Sequence, residues 1–581
     1  MTCMNNAQMA RAFQTVAALL MLQDENPFRI RAYERAAQTI EGLSEDMEMI
    51  YTRQGIEGVR AMPGIGADLS AKIEEMLTTG SMAFLKELQK NVPAGLLELL
   101  EIEGLGPKKV KFLRQKCGVE SIADLERLAQ SGELGKQKGW GEKSVRNVLA
   151  GIAAMRAHRE RMAINVAHSI AGDIVQTLEE SGLCGRIEIA GSLRRRKETI
   201  GDIDILATSD EPAKAMDVFC GFSLVERVLA KGGTKASVHL SAGIDADLRI
   251  VRAEVFGAAL HYFTGSKEHN IALRKRGIAR GCTVSEYGVY EGTAEQKGRL
   301  LASKTEEDVY RAVGLPFIPP ELREHRGEIE AAEAGTLPIL IEEADVHGDL
   351  HVHSNFSDGS VTMTRMAEAA QERGLQYIVF CDHASSMGMV RGIKDDTIDA
   401  YLALIEEARR TVPGMTIVAG AEVDILEDGS LYLSDETMSR LDWVTASVHA
   451  HFKMSPQEMT ERMLRALDHP SVRQLGHPTA RLLLRRDPIE FDTDAVFAKA
   501  AAQKIVVEIN ASVFRLDVND VLIRKAKDAG CLFAINSDGH SPGDLDYRYG
   551  ISQARRGWLS KEDVMNAKGV REFEMFLDRR P

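Results

Sequence analysis

At 581 residues the chain is too long for a single core, and at roughly 100–200 residues per domain it should form three to five units. A hydrophobic fraction of 44% is ordinary for globular protein, no apolar run nears the ~20 residues that cross a bilayer, and Met1–Arg11 carries no signal-peptide pattern. Seven cysteines (Cys3, Cys117, Cys184, Cys220, Cys282, Cys381 and Cys531) are scattered without a Cys-x-x-Cys, which speaks against a disulfide framework or thiolate zinc site and for a reducing cytoplasm.

The net charge of −14 argues against a polyanionic partner until it is divided along the chain. Residues 1–150 carry 19 basic and 20 acidic side chains, residues 151–325 carry 24 of each, and residues 326–581 carry 29 and 42. The acidic excess therefore lies in the last part. The rest is neutral yet locally basic at Arg194–Lys197, Lys108–Lys111 and Arg274–Arg276. Such patches can bind nucleic acid without a high isoelectric point, although any one of them alone reads more simply as solvated surface.

Helical periodicity runs through residues 1–150, with apolar positions recurring from Met9 to Leu22, Ile73 to Leu77, Leu96 to Leu100 and Val145 to Ile152. Gly-hydrophobic-Gly occurs here three times, at Gly64–Gly66, Gly104–Gly106 and Gly139–Gly141. Seven residues after each second glycine stands an apolar residue: Ile73, Leu113 and Val148. Glycines allow a tight turn in which the N–H groups of a helix start approach a phosphate, and backbone contact carries no sequence information. Three such turns, the second followed by Lys108 and Lys109, point to sequence-independent DNA binding; this is the helix-hairpin-helix pattern. Pro63–Ile73 also resembles the lyase domain of X-family DNA polymerases. That resemblance implies that Lys72 forms a Schiff base with the sugar of an abasic site, the competing reading being a surface lysine on a DNA-facing helix.

Strand-like runs begin later, at Ile187–Ala190, Ile203–Leu206, Ser237–Leu240 and Leu248–Val251. Asp202 and Asp204 lie two apart on an apolar strand and so share a face. Paired carboxylates of this kind suit two Mg²⁺ ions, which bind phosphates and keep oxygen ligands. Gly191-Ser192, with the serine ten residues before Asp202, supplies a turn and a hydroxyl for a phosphate. Together these form a nucleotidyltransferase signature, and residues 5–325 resemble the X family of DNA polymerases. The resemblance implies a third carboxylate at Asp247, with Asp245 a rival on the same strand face. It implies that Arg195 contacts nucleotide phosphates and that Tyr262, Phe263 and Gly265 border the sugar and base. Asn270 and Arg274 would meet the nascent base pair from the minor groove. Arg196 stands where animal members have a small residue.

Arg326–Val346, acidic and alanine-rich with Gly335 and Pro338, reads as a linker. From Leu350 onward short apolar runs alternate with helical stretches, the pattern of buried parallel strands in a barrel. His351 and His353 lie two apart on the first strand. His383, Glu422, His449 and His477 each follow a later strand, and Asp538 and His540 follow the last. Strand ends converge on one face of a βα barrel, and mixed imidazole and carboxylate ligands suit Zn²⁺, Mn²⁺ or Fe in hydrolysis. Asp349–Gly359 resembles the opening motif of the PHP (polymerase and histidinol phosphatase) domain, and the likeness extends over about residues 347–575. It implies three ions. His351, His353, Glu422 and Asp538 would hold the first. Glu422, His449 and His477 would hold the second. Asp358, His383 and His540 would hold the third. Asp358 replaces a histidine found in some members, which favours Mn²⁺. His451 is an extra histidine, either a substrate contact or plain surface.

The expected fold is multidomain α+β and α/β. Residues 1–85 form a helix-hairpin-helix lyase-like domain and 86–155 a second helix-hairpin-helix subdomain. Residues 156–252 form a nucleotidyltransferase palm, 253–325 a thumb, 326–346 the linker and 347–581 a distorted (β/α)7 PHP barrel. The expected function is gap-filling DNA synthesis in base excision repair, with 3′–5′ exonuclease or 3′-phosphoesterase activity and abasic-site incision in the barrel. The expected cofactors are two Mg²⁺ or Mn²⁺ ions in the palm and up to three Mn²⁺ or Zn²⁺ ions in the barrel. The expected partners are gapped or nicked duplex DNA and deoxynucleoside triphosphates, with no membrane. The protein would be a monomer in the bacterial cytoplasm, associated with the nucleoid. A small-ester metallophosphatase with a DNA-binding appendage and an inactive DNA-end scaffold are the alternatives.

Overall fold

The computed structural model describes residues 6–23, 25–41, 47–60, 62, 64–90, 94–100, 102, 105–137, 140–141, 144–149, 151–152, 161–293, 296–385 and 392–578. The chain divides into two compact units. The first comprises Met1–Arg159 with Ser357–Ser360 and Met387–Arg391; the second comprises Glu160–Phe356, Val361–Ser386 and Gly392–Pro581. No described helix is long and apolar enough to cross a membrane.

In the first unit the described regular elements are all helical, among them Asn6–Leu22, Pro27–Glu41, Ala67–Thr79, Pro107–Cys117 and Ile122–Gln130. Their apolar faces share one core that contains Phe13, Val16 and Leu20 together with Ile73, Leu113 and Val148. The residue seven positions after each paired glycine is thus the anchor that fastens each helix inward.

The second unit begins with a five-stranded sheet in the order Ile187–Ile189, Asp202–Ala207, Asp245–Ile250, Lys235–Leu240, Val225–Lys231. The Asp202–Ala207 and Asp245–Ile250 strands pair in parallel, and the other pairings are antiparallel. Strand alternation sends Ile203, Ile205, Ala246 and Leu248 into a core with the helices Ile164–Glu180 and Pro212–Cys220. Helices Phe256–Thr264, Lys267–Ala279 and Glu306–Ala312 follow, with a three-stranded antiparallel sheet of Cys282–Ser285, Gly288–Gly292 and Lys297–Ala302. Residues 326–346 differ from a bare linker. Glu328–Ala334 is a helix, Glu328 is fully buried against His269 at 2.6 Å, and Ile329, Ala332 and Leu340 join the preceding core. Alanine and glutamate are strong helix formers, so the composition that suggested a tether favours a packed helix instead.

Seven parallel strands then run in sequence order: Gly348–Val352, Tyr377–Phe380, Thr416–Asp424, Trp443–Ser447, Val472–Leu475, Val506–Asn510 and Phe533–Asn536. The first and last edges meet through a bridge between Val352 and Gly539, with the His353 N–H donating to the Gly539 carbonyl at 2.9 Å, so the sheet nearly closes into a barrel. Phe573 of the last helix, Val570–Asp578, stacks on Tyr377 at 4.3 Å and covers the N-terminal end of the strands. The barrel and the palm share apolar packing, because Leu516 and Tyr549 sit in the palm core. Arg481 locks the same junction by a bidentate pair with Glu198 at 2.9 and 2.6 Å.

A buried ion cluster organises the thumb. Glu306 accepts from Arg194 at 2.6 Å and from the fully buried Arg323 at 2.6 Å. Burial alone would raise the Glu306 carboxyl, but Arg323 and Arg194 outweigh it and hold the group down to about 2. A depressed carboxyl stabilises the fold above its unfolded value of 4.5, and that contribution is lost as pH falls from there toward about 2. Over this window wild type should lose about 3 kcal/mol more than Glu306→Gln in urea unfolding, and parallel profiles would contradict the assignment.

Candidate active sites

Parallel pairing sets Asp202 opposite Asp245 and Asp204 opposite Asp247. With alternate residues turned into the core, these carboxylates share the opposite face. Asp245 is held by His239 at 2.6 Å, whereas Asp247 lies 2.8 Å from Lys235. Burial first, then the charges of Asp202 and Asp247, push the Asp204 carboxyl up to about 7. Of the two rivals on the neighbouring strand, Asp247 rather than Asp245 is the one whose charge acts on Asp204. Gly191 has φ 60°, and a Cβ there would lie 2.2 Å from Oδ2 of Asp204, so only glycine lets the turn approach this closely. The Ser192 hydroxyl is buried without a hydrogen-bond partner. Crowded carboxylates and an unsatisfied hydroxyl fit divalent ions and a phosphate.

Arg195 is 9% exposed; its Nε donates to Glu324 at 3.0 Å and its Nη1 to the Thr264 carbonyl at 2.6 Å. It braces the Tyr262–Ser266 segment, and a phosphate contact would have to use the remaining guanidinium donors. Asn270 donates to the Tyr262 carbonyl at 2.7 Å, and the Arg274 guanidinium lies 5.8 Å from the Tyr262 ring. Tyr262, Asn270 and Arg274 line one small recess, while Phe263 lies under Arg249 at 4.4 Å.

In the helical unit, Gly66 and Gly106 are extended N-cap residues, and no side chain caps either helix. Their first N–H groups are thus left to an anion or water. Gly64 precedes the first turn with φ 79°, Gly141 and Lys108 are exposed, and Lys109 lies 5.4 Å from the Trp140 ring. Gly104 and Gly139 lie outside the described residues. Lys72 Nζ pairs with Asp68 at 2.6 Å. A lysine nucleophile attacks from a free amine, so this contact must open first.

The C-terminal ends of the barrel strands gather the second cluster. Glu422 is 1% exposed, and imidazoles surround it. Oε1 lies 3.2 Å from His449 and 2.8 Å from His477; Oε2 lies 2.9 Å from His383, 3.6 Å from His351 and 3.9 Å from His353. Burial opposes its ionisation, but His449, His351 and His383 outweigh that and hold the carboxyl well below the usual range. His351, His353 and Asp538 offer ligand atoms within 4.8 Å of one another, as do His383, Glu422 and His449, and as do His353, His383 and His540. Asp358 falls in Ser357–Ser360, which groups with the N-terminal unit. His451 is exposed, 3.6 Å from Glu427, and belongs to none of these groups.

Several residues that orient these ligands are hard to see in the sequence alone. His351 turns Nδ1 to buried Glu508 at 2.7 Å, and His449 turns Nδ1 to Asp424 at 2.7 Å. In each ring the opposite Nε2 is buried, aimed at Glu422 and without a hydrogen-bond partner. That is the arrangement of a metal-binding imidazole oriented by a carboxylate. Asp538 is positioned likewise, Oδ2 accepting from Asn510 at 2.9 Å while Oδ1 faces His353 at 3.1 Å. Asp349 accepts from Tyr547 at 2.8 Å and from Ser537 at 2.5 Å, tying the first strand to the last. The orphaned nitrogens and the mixed donor set fit Zn²⁺ or Mn²⁺.

Residues 4–82 match the helix-hairpin-helix domain family, 259–324 the DNA polymerase beta thumb and 349–520 the PHP domain. Over 99% of its length the chain is 33% identical to the whole of a Bacillus subtilis protein named DNA polymerase/3′-5′ exonuclease PolX. It is 27% identical to Rattus norvegicus DNA polymerase lambda across 45% of this chain and 48% of that protein. A probable phosphatase of Thermoanaerobacter is 28% identical across 38% of this chain and 89% of its own length. The full-length likeness, the thumb and the PHP match place the chain in one family: it is an X-family DNA polymerase that carries a PHP domain.

Proposed function

We propose that this protein fills short gaps in DNA during base excision repair and that its barrel trims or unblocks 3′ ends as a metal-dependent 3′–5′ exonuclease or 3′-phosphatase. The observation that carries the reading is like charge taken from water at Asp204, beside Asp202 and Asp247, in a turn that only Gly191 permits. Asp202, Asp204 and Asp247 would hold two Mg²⁺ or Mn²⁺ ions, which would supply Lewis acidity for nucleotidyl transfer. Ser192 and Arg195 bind nucleotide phosphates, Tyr262, Phe263 and Gly265 border sugar and base, and Asn270 and Arg274 meet the nascent pair. In the barrel His351, His353, Glu422 and Asp538 would hold one ion, Glu422, His449 and His477 a second, and Asp358, His383 and His540 a third. His383 lies close enough to Glu422 to serve the second as well. Ions held there would activate water for phosphoester hydrolysis near neutral pH. The name of the Bacillus subtilis relative supports the exonuclease assignment. Gapped duplex DNA and deoxynucleoside triphosphates are the substrates, the paired glycine turns grip the duplex backbone, and the protein works as a monomer in the cytoplasm at the nucleoid. Abasic-site incision is a further reaction open to the same barrel ions.

A paired substitution separates the two sites. Asp202→Ala should lower extension across a one-nucleotide gap by roughly a thousandfold and spare 3′ degradation, and His351→Ala should do the reverse. Loss of both reactions in either variant would mean that the clusters do not act independently, and turnover of only a small phosphate ester by wild type would support the phosphatase reading. Lys72 should be trapped on abasic DNA by borohydride; equal trapping by Lys72→Ala would remove it as the lyase nucleophile.

A further inference from the structure

The hydrolytic cleft is not built by the barrel alone. A cavity of about 690 Å³ opens beside Asp538 and His540. Phe514 and Tyr549 line it from the barrel, and Asn165, His168 and Ser169 line it from the palm helix Ile164–Glu180. Residues spaced i, i+3 and i+4 share one helix face. The other face of this helix, with Ala167, Ile170, Ala171 and Ile174, is already spent on the palm core. The polar stripe is therefore surplus to packing, and it is turned toward the ion cluster of another domain. The junction is held firmly: Leu516 and Tyr549 enter the palm core, and Glu198 and Arg481 form their bidentate pair next to it.

The chemistry of the lining is that of a nucleotide subsite. Phe514 is 58% exposed, with the Arg485 guanidinium 5.5 Å from its ring centre. An exposed ring beside a phosphoester site is a platform for an unpaired base, which stacks with little regard to sequence. The His168 ring stands edge-on to Tyr549, with centres 6.5 Å apart. Burial first, then the nearby charges of Arg196 and Arg548, hold its imidazole below the usual value, so it offers one donor and one acceptor at neutral pH. Arg196, which no nucleotide role in the palm accounts for, thus places positive charge at this junction. The volume suits a single nucleotide rather than a duplex.

Resting on the reading of the barrel as a 3′-end nuclease, we propose that this cleft is a composite subsite for the terminal nucleotide of single-stranded DNA. Phe514 stacks on the base, and Asn165 and His168 of the polymerase palm hydrogen-bond the nucleotide beside the ion cluster. The palm thereby sets the specificity of the hydrolase.

The test uses the full-length protein with Mn²⁺ and two substrates: a 5′-labelled single-stranded oligonucleotide, and bis(p-nitrophenyl) phosphate, which has the phosphodiester but neither base nor sugar. Phe514→Ala and the double variant Asn165→Ala, His168→Ala should each lower the ratio of oligonucleotide to ester kcat/KM by about tenfold, the size expected for a lost stack or charged hydrogen bond, mainly through KM. Phe514→Trp should restore the ratio. Its added indole emission should also be quenched by the oligonucleotide in EDTA, a binding readout independent of turnover. An unchanged ratio, or equal loss on both substrates, would overturn the composite subsite alone. Wild type that degrades neither substrate would overturn the nuclease reading and this inference with it.

Discussion

A carboxylate removed from water is costly unless positive charge or hydrogen-bond donors reach it, and in the barrel that constraint falls on Glu422. Its two oxygens face different imidazoles, Oε1 toward His449 and His477 and Oε2 toward His383, His351 and His353. One side chain therefore joins what would otherwise be separate groups of ligands. The parallel topology makes this possible, since residues far apart in sequence leave neighbouring strands at the same end. The strand interiors then fix the geometry. Glu508 accepts from His351 and from the His477 backbone N–H at 2.7 Å, and Asn536 donates to the same carboxylate at 2.9 Å. The barrel is thus filled partly by a satisfied polar network rather than by aliphatic packing alone.

The palm meets the same constraint by a shorter route. Two adjacent parallel strands carry acidic residues at matching register, so Asp204 and Asp247 are brought together by the strand pairing itself. Among the described residues no imidazole pairs with either, and Lys235 lies within ion-pair distance of Asp247. Oxygen-only ligands in one cluster and nitrogen-rich ligands in the other suit opposite phosphoester chemistries, synthesis and cleavage. The two clusters are also mechanically related. The helix that closes the palm core with its apolar face turns its polar face to the barrel cleft, and the partly buried Arg481–Glu198 pair spans the same junction.

Much of this was legible in the sequence because the chemistry rides on strict spacings. Asp202 and Asp204 show a shared face by being two apart, and each barrel candidate after the first pair, Asp358 apart, follows an apolar run. What the sequence did not yield has particular causes. Glu508 lies inside the run Ile505–Ile509, and one charged residue within an apolar strand was the only signal that it orients His351. The Val225–Lys231 strand is mostly exposed and lacks the alternation that marks a half-buried strand. Residues 326–346 read as a tether because composition does not reveal that Glu328 finds His269. His168 carried no signal at all, since a single histidine on an amphipathic helix is ordinary until the opposite domain is in place. The resemblance already favours Asp247 over Asp245, and the structure adds that His239 pairs with Asp245 while Asp247 stands opposite Asp204.

The central claim is that Glu422 welds the barrel ligands into one multi-ion centre, and metal content measures it most directly. Manganese bound per chain would be counted by mass spectrometry after dialysis, in an Asp202→Ala background that silences the palm. More than one tightly held ion is expected with Glu422 intact, and at least one fewer in Glu422→Gln at unchanged folding. Equal metal content in the two proteins would contradict it.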